Sequence, residues 1–376
     1  MSVIKDAGSR ATLPPFTEEH DELRESVGRF VAAEIAPHVE EWEEAREFPR
    51  ELFARCGELG FLGLKFPERY GGQGGDLVHD AVWIEELSRA GGSGGVAAGL
   101  NAHAQIAMPP VFNFGTEGQR QRWIVPGIRG ELIGALGITE PGAGSDVAAI
   151  RTFARRVDGG YVVNGSKTFI TNGVRADFVV TAVKTTEAGG HHGISFLIVE
   201  REMDGFETAG KLEKLGWRAS DTGELTFSDV FVPDENLLGE ENRGFYLIMA
   251  NFQWERLIMA LGAVASMEAV LERVVESEPG SAWRNLVAEI AVKLEASRCL
   301  TYHALRLFVH DENAVREVTE AKLLSQRAAC EVAEMAWRAT QGDSEIGRTL
   351  RDTRLGPIGG GTDEVMKQIL AKQLGL

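Results

Sequence analysis

Ile138-Thr139-Glu140-Pro141-Gly142-Ala143-Gly144-Ser145-Asp146 follows an apolar run over residues 132–138 and precedes a segment of strand-like texture. Its glycines let backbone N–H groups approach a ligand, and its Thr and Ser add hydroxyls that donate and accept. Four oxygen-bearing side chains and two glycines in one tight loop are more than a plain surface turn requires. Twenty-two residues beyond Ser145 stands Lys167-Thr168-Phe169-Ile170-Thr171-Asn172-Gly173, a strand that ends in the turn pair Asn-Gly. A flat aromatic beside convergent hydroxyls suits a ring with polar edges, so the two stretches point to a cofactor site.

Texture on either side of this pair divides the chain into three parts. Residues 1–134 read as helical: Leu23, Val27, Phe30 and Val31 recur at helical spacing after a start at Thr17-Glu18-Glu19. Residues 135–242 carry short β-branched and aromatic runs (161–163, 178–180, 194–199, 224–227), which read as a small antiparallel β-domain. Residues 243–376 return to long helices over about 245–275, 282–309 and 315–340, and a last one follows Thr362. The fold class is α+β, mainly α.

Composition narrows the function. The chain has 376 residues and a net charge of −17, which argues against a nucleic-acid partner because phosphate binding needs clustered Lys and Arg. An anionic small ligand stays compatible, since local contacts outweigh distant charge. Cys56, Cys299 and Cys330 are scattered and odd in number, fitting small buried hydrophobes in a reducing compartment. With no apolar stretch near the ~20 residues of a membrane span and no signal-like N-terminus, a cytoplasmic protein is expected. Gly71 to Gly75 reads as a turn, His191-His192 as solvated, His103 as packed, and the acidic run 40–47 as a solvated helix face.

The two ligand-loop stretches resemble the flavin-binding signatures of acyl-CoA dehydrogenases. Pro67-Glu68-Arg69-Tyr70-Gly71-Gly72-Gln73-Gly74, Gly115-Thr116-Glu117, Leu237-Leu238-Gly239-Glu240-Glu241-Asn242 and Gly359-Gly360-Gly361-Thr362 follow that family's order and spacing. The resemblance implies a helical N-terminal domain, a middle β-domain and a C-terminal four-helix bundle that also builds a homodimer or homotetramer. It implies FAD, held by Ile138, Thr139, Ser145, Phe169, Thr171, Thr362 and Glu364. It also implies an acyl-CoA or acyl carrier protein substrate and an electron-transferring flavoprotein as partner.

Removing two hydrogens across Cα–Cβ of a thioester needs a base, a hydride acceptor on the other face, and donors for the carbonyl oxygen. The family's commonest base precedes the C-terminal Gly-Thr, where this chain has Gly360. Instead, Asn251-Phe252-Gln253-Trp254-Glu255-Arg256-Leu257 resembles the long-chain and isovaleryl branches, whose base is a helical glutamate before Arg. Glu255 is therefore the expected base, Gly360 the carbonyl donor through its N–H, and Ser145 and Arg256 further substrate contacts.

Two segments depart from the family pattern: residues 272–283, which lack its Arg, Phe-Gly and Gln, and residues 338–344, where a Gln-x-His-Gly-Gly loop is missing. In the family both reach the neighbouring subunit's flavin. Three outcomes are compatible with their loss: weaker FAD binding, a heteromer with a related chain, or a non-redox acyl-thioester-binding homologue.

Overall fold

The computed structural model describes residues 14–90, 92–186, 190–277, 283–310 and 312–376. Helix Glu18–Glu34 opens the N-terminal part and packs on Leu77–Ala90, with the short helix Gly94–Asn101 beyond. Val27, Phe30 and Val31 are buried and Leu23 packs against the same core, as their spacing predicts. After Gly94–Asn101 the chain winds into a π-helical turn, Ala102–Ala107. His103 in that turn is fully buried: its Nδ1 accepts the Gly134 N–H and its Nε2 donates to the Gly127 carbonyl.

The sheet contains β1 Gly134–Gly137, β2 Phe153–Val157, β3 Gly160–Thr171, β4 Phe178–Lys184, β5 Ile194–Glu200, β6 Phe206–Lys211, β7 Thr222–Pro233 and β8 Leu237–Leu238. Its order is β6-β7-β3-β2-β4-β5-β8, with β1 paired to β4. Most pairings are antiparallel as expected. The exceptions are β1, which runs parallel to β4, and the single β2–β4 pair Phe153↔Lys184. β1 returns to β4 only after the β2–β3 hairpin has intervened, a long connection that permits parallel pairing. Alternation then builds two cores at once. Phe178, Val180 and Ala182 of β4 face the helices, whereas Val179 and Val183 join Leu197, Leu225 and Val230 on the other side.

Three long helices follow: Gly244–Ser277, Trp283–Val309 and Val315–Ala339. They pack on one another, and the short helices Ser344–Thr353 and Asp363–Gln373 pack on the third. Gly244–Ser277 also packs along Leu77–Ala90, so one core runs from the N-terminal helices through the sheet to Leu257 and Leu261. No described helix is long and apolar enough to cross a membrane.

Three of the composition-level readings change. Glu43 of the acidic run turns inward, where its Oε1 accepts from Ser93 Oγ (2.7 Å) and the Ala219 N–H (3.2 Å). Partners that the run itself does not reveal compensate its burial. Cys56 is buried but Cys299 is exposed, because its helix position faces outward; all three cysteines are free. His192 is exposed, while His191 is only half-buried and packs on Phe245.

Candidate active site

The 138–146 loop and the strand after it are stitched together from inside. Thr168 N–H donates to the Thr139 carbonyl (2.9 Å), and Lys167 Nζ donates to the Ile138 carbonyl (3.1 Å) and Glu140 Oε1 (2.8 Å). Glu140 also accepts from the Arg151 and Thr152 N–H groups. Burial alone would raise its pKa, but Lys167 and these donors hold it below the usual carboxylate range. The four oxygen-bearing side chains of the loop therefore divide. Glu140 points inward and Asp146 caps the following turn through the Ala148 N–H, leaving Thr139 and Ser145 for a ligand.

The outer face of that loop is open. Ser145 is exposed, Thr139 half-buried, Ile138 buried, and a Cβ added at Gly142 or Gly144 would meet nothing within 4 Å. Among the described residues the N–H groups of Gly142, Gly144 and Ser145 donate to no protein acceptor. In β3 the register slips between Lys167 and Ile170, and Phe169 takes φ +59° with 67% of its surface exposed. A left-handed aromatic left in water is unfavourable on both counts. Here it supplies a flat apolar face beside unspent amides and hydroxyls. That donor set fits the ring and polar edges of FAD.

Thr171, two residues on, lines a cavity of about 170 Å³. Its walls come from several helices, among them Ala97 and Ala98 of Gly94–Asn101, Ile258, Met259, Gly262 and Ser266 of Gly244–Ser277, and Gln326 of Val315–Ala339. Glu255 lies on the same stripe, one turn before Ile258 and Met259. Asn251, four residues earlier, donates from Nδ2 to Glu255 Oε1 at 2.8 Å. Trp254, Leu257 and Ile258 are buried around it, and Trp254 Nε1 is fixed on Gln105 Oε1 of the π-helical turn. Burial pushes the Glu255 carboxyl up to about 7, against the opposing effects of Asn251 and Arg256.

Residues 359–361 lie over this helix. A Cβ at Gly360 would stand 3.3 Å from Met259 Cγ, and one at Gly361 would stand 4.0 Å from Arg256 Nε. Gly360 (φ +62°) and Gly361 (φ +98°) both need the left-handed region, and neither N–H has a protein acceptor among the described residues. The fold thus sets the 359–361 loop over Met259 and Arg256 of the helix that carries Glu255. Arg256 is buried against the loop, and among the described residues its Nε has no hydrogen-bond partner.

Thr362 and Glu364 are placed differently. Thr362 Oγ1 caps the last helix by accepting from the Val365 N–H, and Glu364 is exposed. No hydrogen bond or ion pair among the described residues ties either to the 138–146 loop or to residues 169–171. Sequence reasoning missed Asn251, Lys167–Glu140 and Lys322. Each is a polar residue whose partner lies far along the chain or on another turn, so no local pattern marks it.

The two segments that depart from the family pattern meet in space. Helix Val315–Ala339 ends in a short turn at residues 340–343, and Asp343 both caps Ser344–Thr353 and pairs with Arg273 at 2.9 Å. Part of the first segment, residues 278–282, lies outside the described residues.

Profiles of the acyl-CoA dehydrogenase N-terminal, middle and C-terminal domains match residues 17–131, 135–230 and 242–375. The chain belongs to the acyl-CoA dehydrogenase family. It is 38% identical over 384 residues to the mitochondrial long-chain specific acyl-CoA dehydrogenase of Rattus norvegicus, covering 96% of this chain and 87% of that protein. With the mitochondrial isovaleryl-CoA dehydrogenase of Arabidopsis thaliana it shares 35% identity over 384 residues, covering 97% and 93%. The solved structure of an acyl-CoA dehydrogenase from Geobacillus kaustophilus superposes with a TM-score of 0.92 at 37% identity, covering 97% of this chain and 100% of that one.

Proposed function

We propose that this protein is an FAD-dependent dehydrogenase that converts an acyl-CoA thioester to its trans-2-enoyl product, with Glu255 as the base. The observation that carries the reading is a carboxylate of raised pKa on the helix overlain by a glycine loop whose amides are unspent among the described residues. Glu255 is half ionised near neutral pH and strong enough there to take a proton acidified by the thioester carbonyl. The Gly360 N–H donates to the thioester oxygen, a contribution of roughly 3–4 kcal/mol as enolate charge develops. With no side chain at Gly360, the loop leaves room for the substrate. The acyl chain enters the cavity between the helices, whose small residues Ala97, Ala98 and Gly262 admit it.

FAD, which Thr139, Ser145, Phe169 and Thr171 would hold, would supply the hydride acceptor for the substrate's β-hydrogen. The exposed ring of Phe169 and the open 138–146 loop argue against a non-redox homologue. Ser145 and Arg256 as substrate contacts, Thr362 and Glu364 near the diphosphate, and Ile138 through its backbone complete the proposed assignment. An electron-transferring flavoprotein is the proposed reoxidant. The short turn at 340–343 makes the oligomer, homomeric or with a related chain, part of the same proposal.

The test is a visible spectrum of purified protein with and without added FAD, followed by acyl-CoA-dependent reduction of a dye. Flavin bands near one per chain, bleached by acyl-CoA, support the reading. A protein that stays colourless in FAD and ignores acyl-CoA defeats it for the isolated chain.

A further inference from the structure

Lys322 is fully buried on helix Val315–Ala339, yet its Nζ donates to a neutral acceptor, the Gly361 carbonyl, at 2.6 Å. A buried ammonium on a carbonyl is costly, and a methionine of similar length would fill the same space more cheaply. The charged groups that face it are Asp363 and Glu364 of the last helix and Arg256 of the base helix. Arg256 opposes it, and Asp363 is already engaged by Arg327 at 2.6 Å. Nothing in the packing of this helix alone accounts for a lysine here.

The neighbouring turns of the same helix explain it better. Gln326, one turn on, donates to the Met259 carbonyl on the base helix, and Arg327 holds Asp363 at the start of the last helix. Before the loop, the Ile358 and Gly359 N–H groups close on the Leu355 carbonyl. Between these anchors Gly360 and Gly361 are two successive left-handed glycines whose N–H groups meet no protein acceptor among the described residues. The hydrogen bond from Lys322 is the one side-chain tie that reaches them among the described residues.

Building on the proposed dehydrogenation, we infer that Lys322 is a positioning residue that holds loop 359–361 so that the Gly360 N–H meets the substrate carbonyl. It touches neither substrate nor flavin and acts only through the Gly361 carbonyl. Burial lowers the Lys322 pKa to about 8, with Arg256 adding to the effect and Asp363 and Glu364 resisting it. The charged clamp is therefore present below about pH 8 and weakens above it.

The experiment compares wild type, Lys322→Met and Lys322→Arg as flavin-loaded protein, with Glu255→Gln as control. Lys322→Met should lower kcat by about 10- to 100-fold, the scale of a misplaced donor, with KM and flavin content within about threefold of wild type. Hydrogen exchange of the peptide spanning residues 357–363 should speed up, with or without flavin. Lys322→Arg should restore much of kcat and move the alkaline limb of the wild-type profile upward from about pH 8. A kcat within twofold of wild type in Lys322→Met, or unchanged exchange in 357–363, overturns the clamp. If Lys322→Met does not fold, an alkaline limb that stays in place in Lys322→Arg overturns it. Turnover retained in Glu255→Gln would instead overturn the base assignment, whatever Lys322 does.

Discussion

Lys167 Nζ lies 2.8 Å from Glu140 Oε1, and neither side chain reaches solvent appreciably. The pair joins a strand residue to the turn of the ligand loop, and the same ammonium holds the Ile138 carbonyl. Thr139, between the two acceptors, is thereby turned toward the open side. Charge inside the sheet thus sets the shape of a surface loop.

Lys167→Met should leave Glu140 buried without its cation. Removing one partner of such a pair typically destabilises by about 3–5 kcal/mol. Urea unfolding should record that loss, and the flavin-to-protein ratio should fall with it. Lys167→Met combined with Glu140→Gln should recover part of the stability, because no unpaired charge remains.

Glu255→Gln should reduce turnover by at least ~10³-fold, since general-base catalysis contributes on the order of 10²–10⁴. The flavin spectrum should persist, because Glu255 is not among the residues proposed to hold FAD. Full turnover in this variant would remove Glu255 from the mechanism.

The raised pKa of Glu255 has two consequences of known sign. Only the ionised form takes a proton, so kcat/KM should rise with pH up to about 7 and fall again above about 8 as the Lys322 clamp loses its charge. The folded pKa lies above that of an unfolded glutamate, so the native state binds more protons between roughly pH 4.5 and 7 and loses stability as pH rises through that window. Glu255→Gln should therefore raise the melting temperature at pH 8 and change it little at pH 4.5. Calorimetry at both pH values tests this, and an equal shift at both would contradict it.

Phe169→Gly should separate folding from binding. A glycine accepts φ +59° without strain and removes an exposed ring, so flavin-free protein should be no less stable, within about 1 kcal/mol. FAD affinity should drop about tenfold or more if the ring covers the flavin. Titration of the flavin-free variant by fluorescence measures the drop.

Much of the architecture was legible because its signals are local. Helical spacing at Leu23, Val27, Phe30 and Val31, and β-branched runs such as 178–180 and 194–199, depend only on nearby residues. The same holds for the ligand loop, whose glycines and hydroxyls follow one another directly. The parallel β1–β4 pairing was not legible, because it joins residues 134–137 to 178–181 across an intervening hairpin. Nor was the inward turn of Glu43, whose partners Ser93 and Ala219 lie 50 and 176 residues away.

The amino-acid sequence by itself determined the family, the α-β-α order and the residue types that flavin and thioester chemistry need. Motif order and periodicity survive in one dimension. Tertiary structure alone decided which of those residues face a ligand and which are spent holding others. It turned Glu140 inward onto Lys167, left Phe169 in the open, capped a helix with Thr362, and set Lys322 beneath Gly361. Those outcomes depend on burial and on partners distant in sequence. A charge or hydroxyl takes its role from the dielectric and the acceptor it meets after folding.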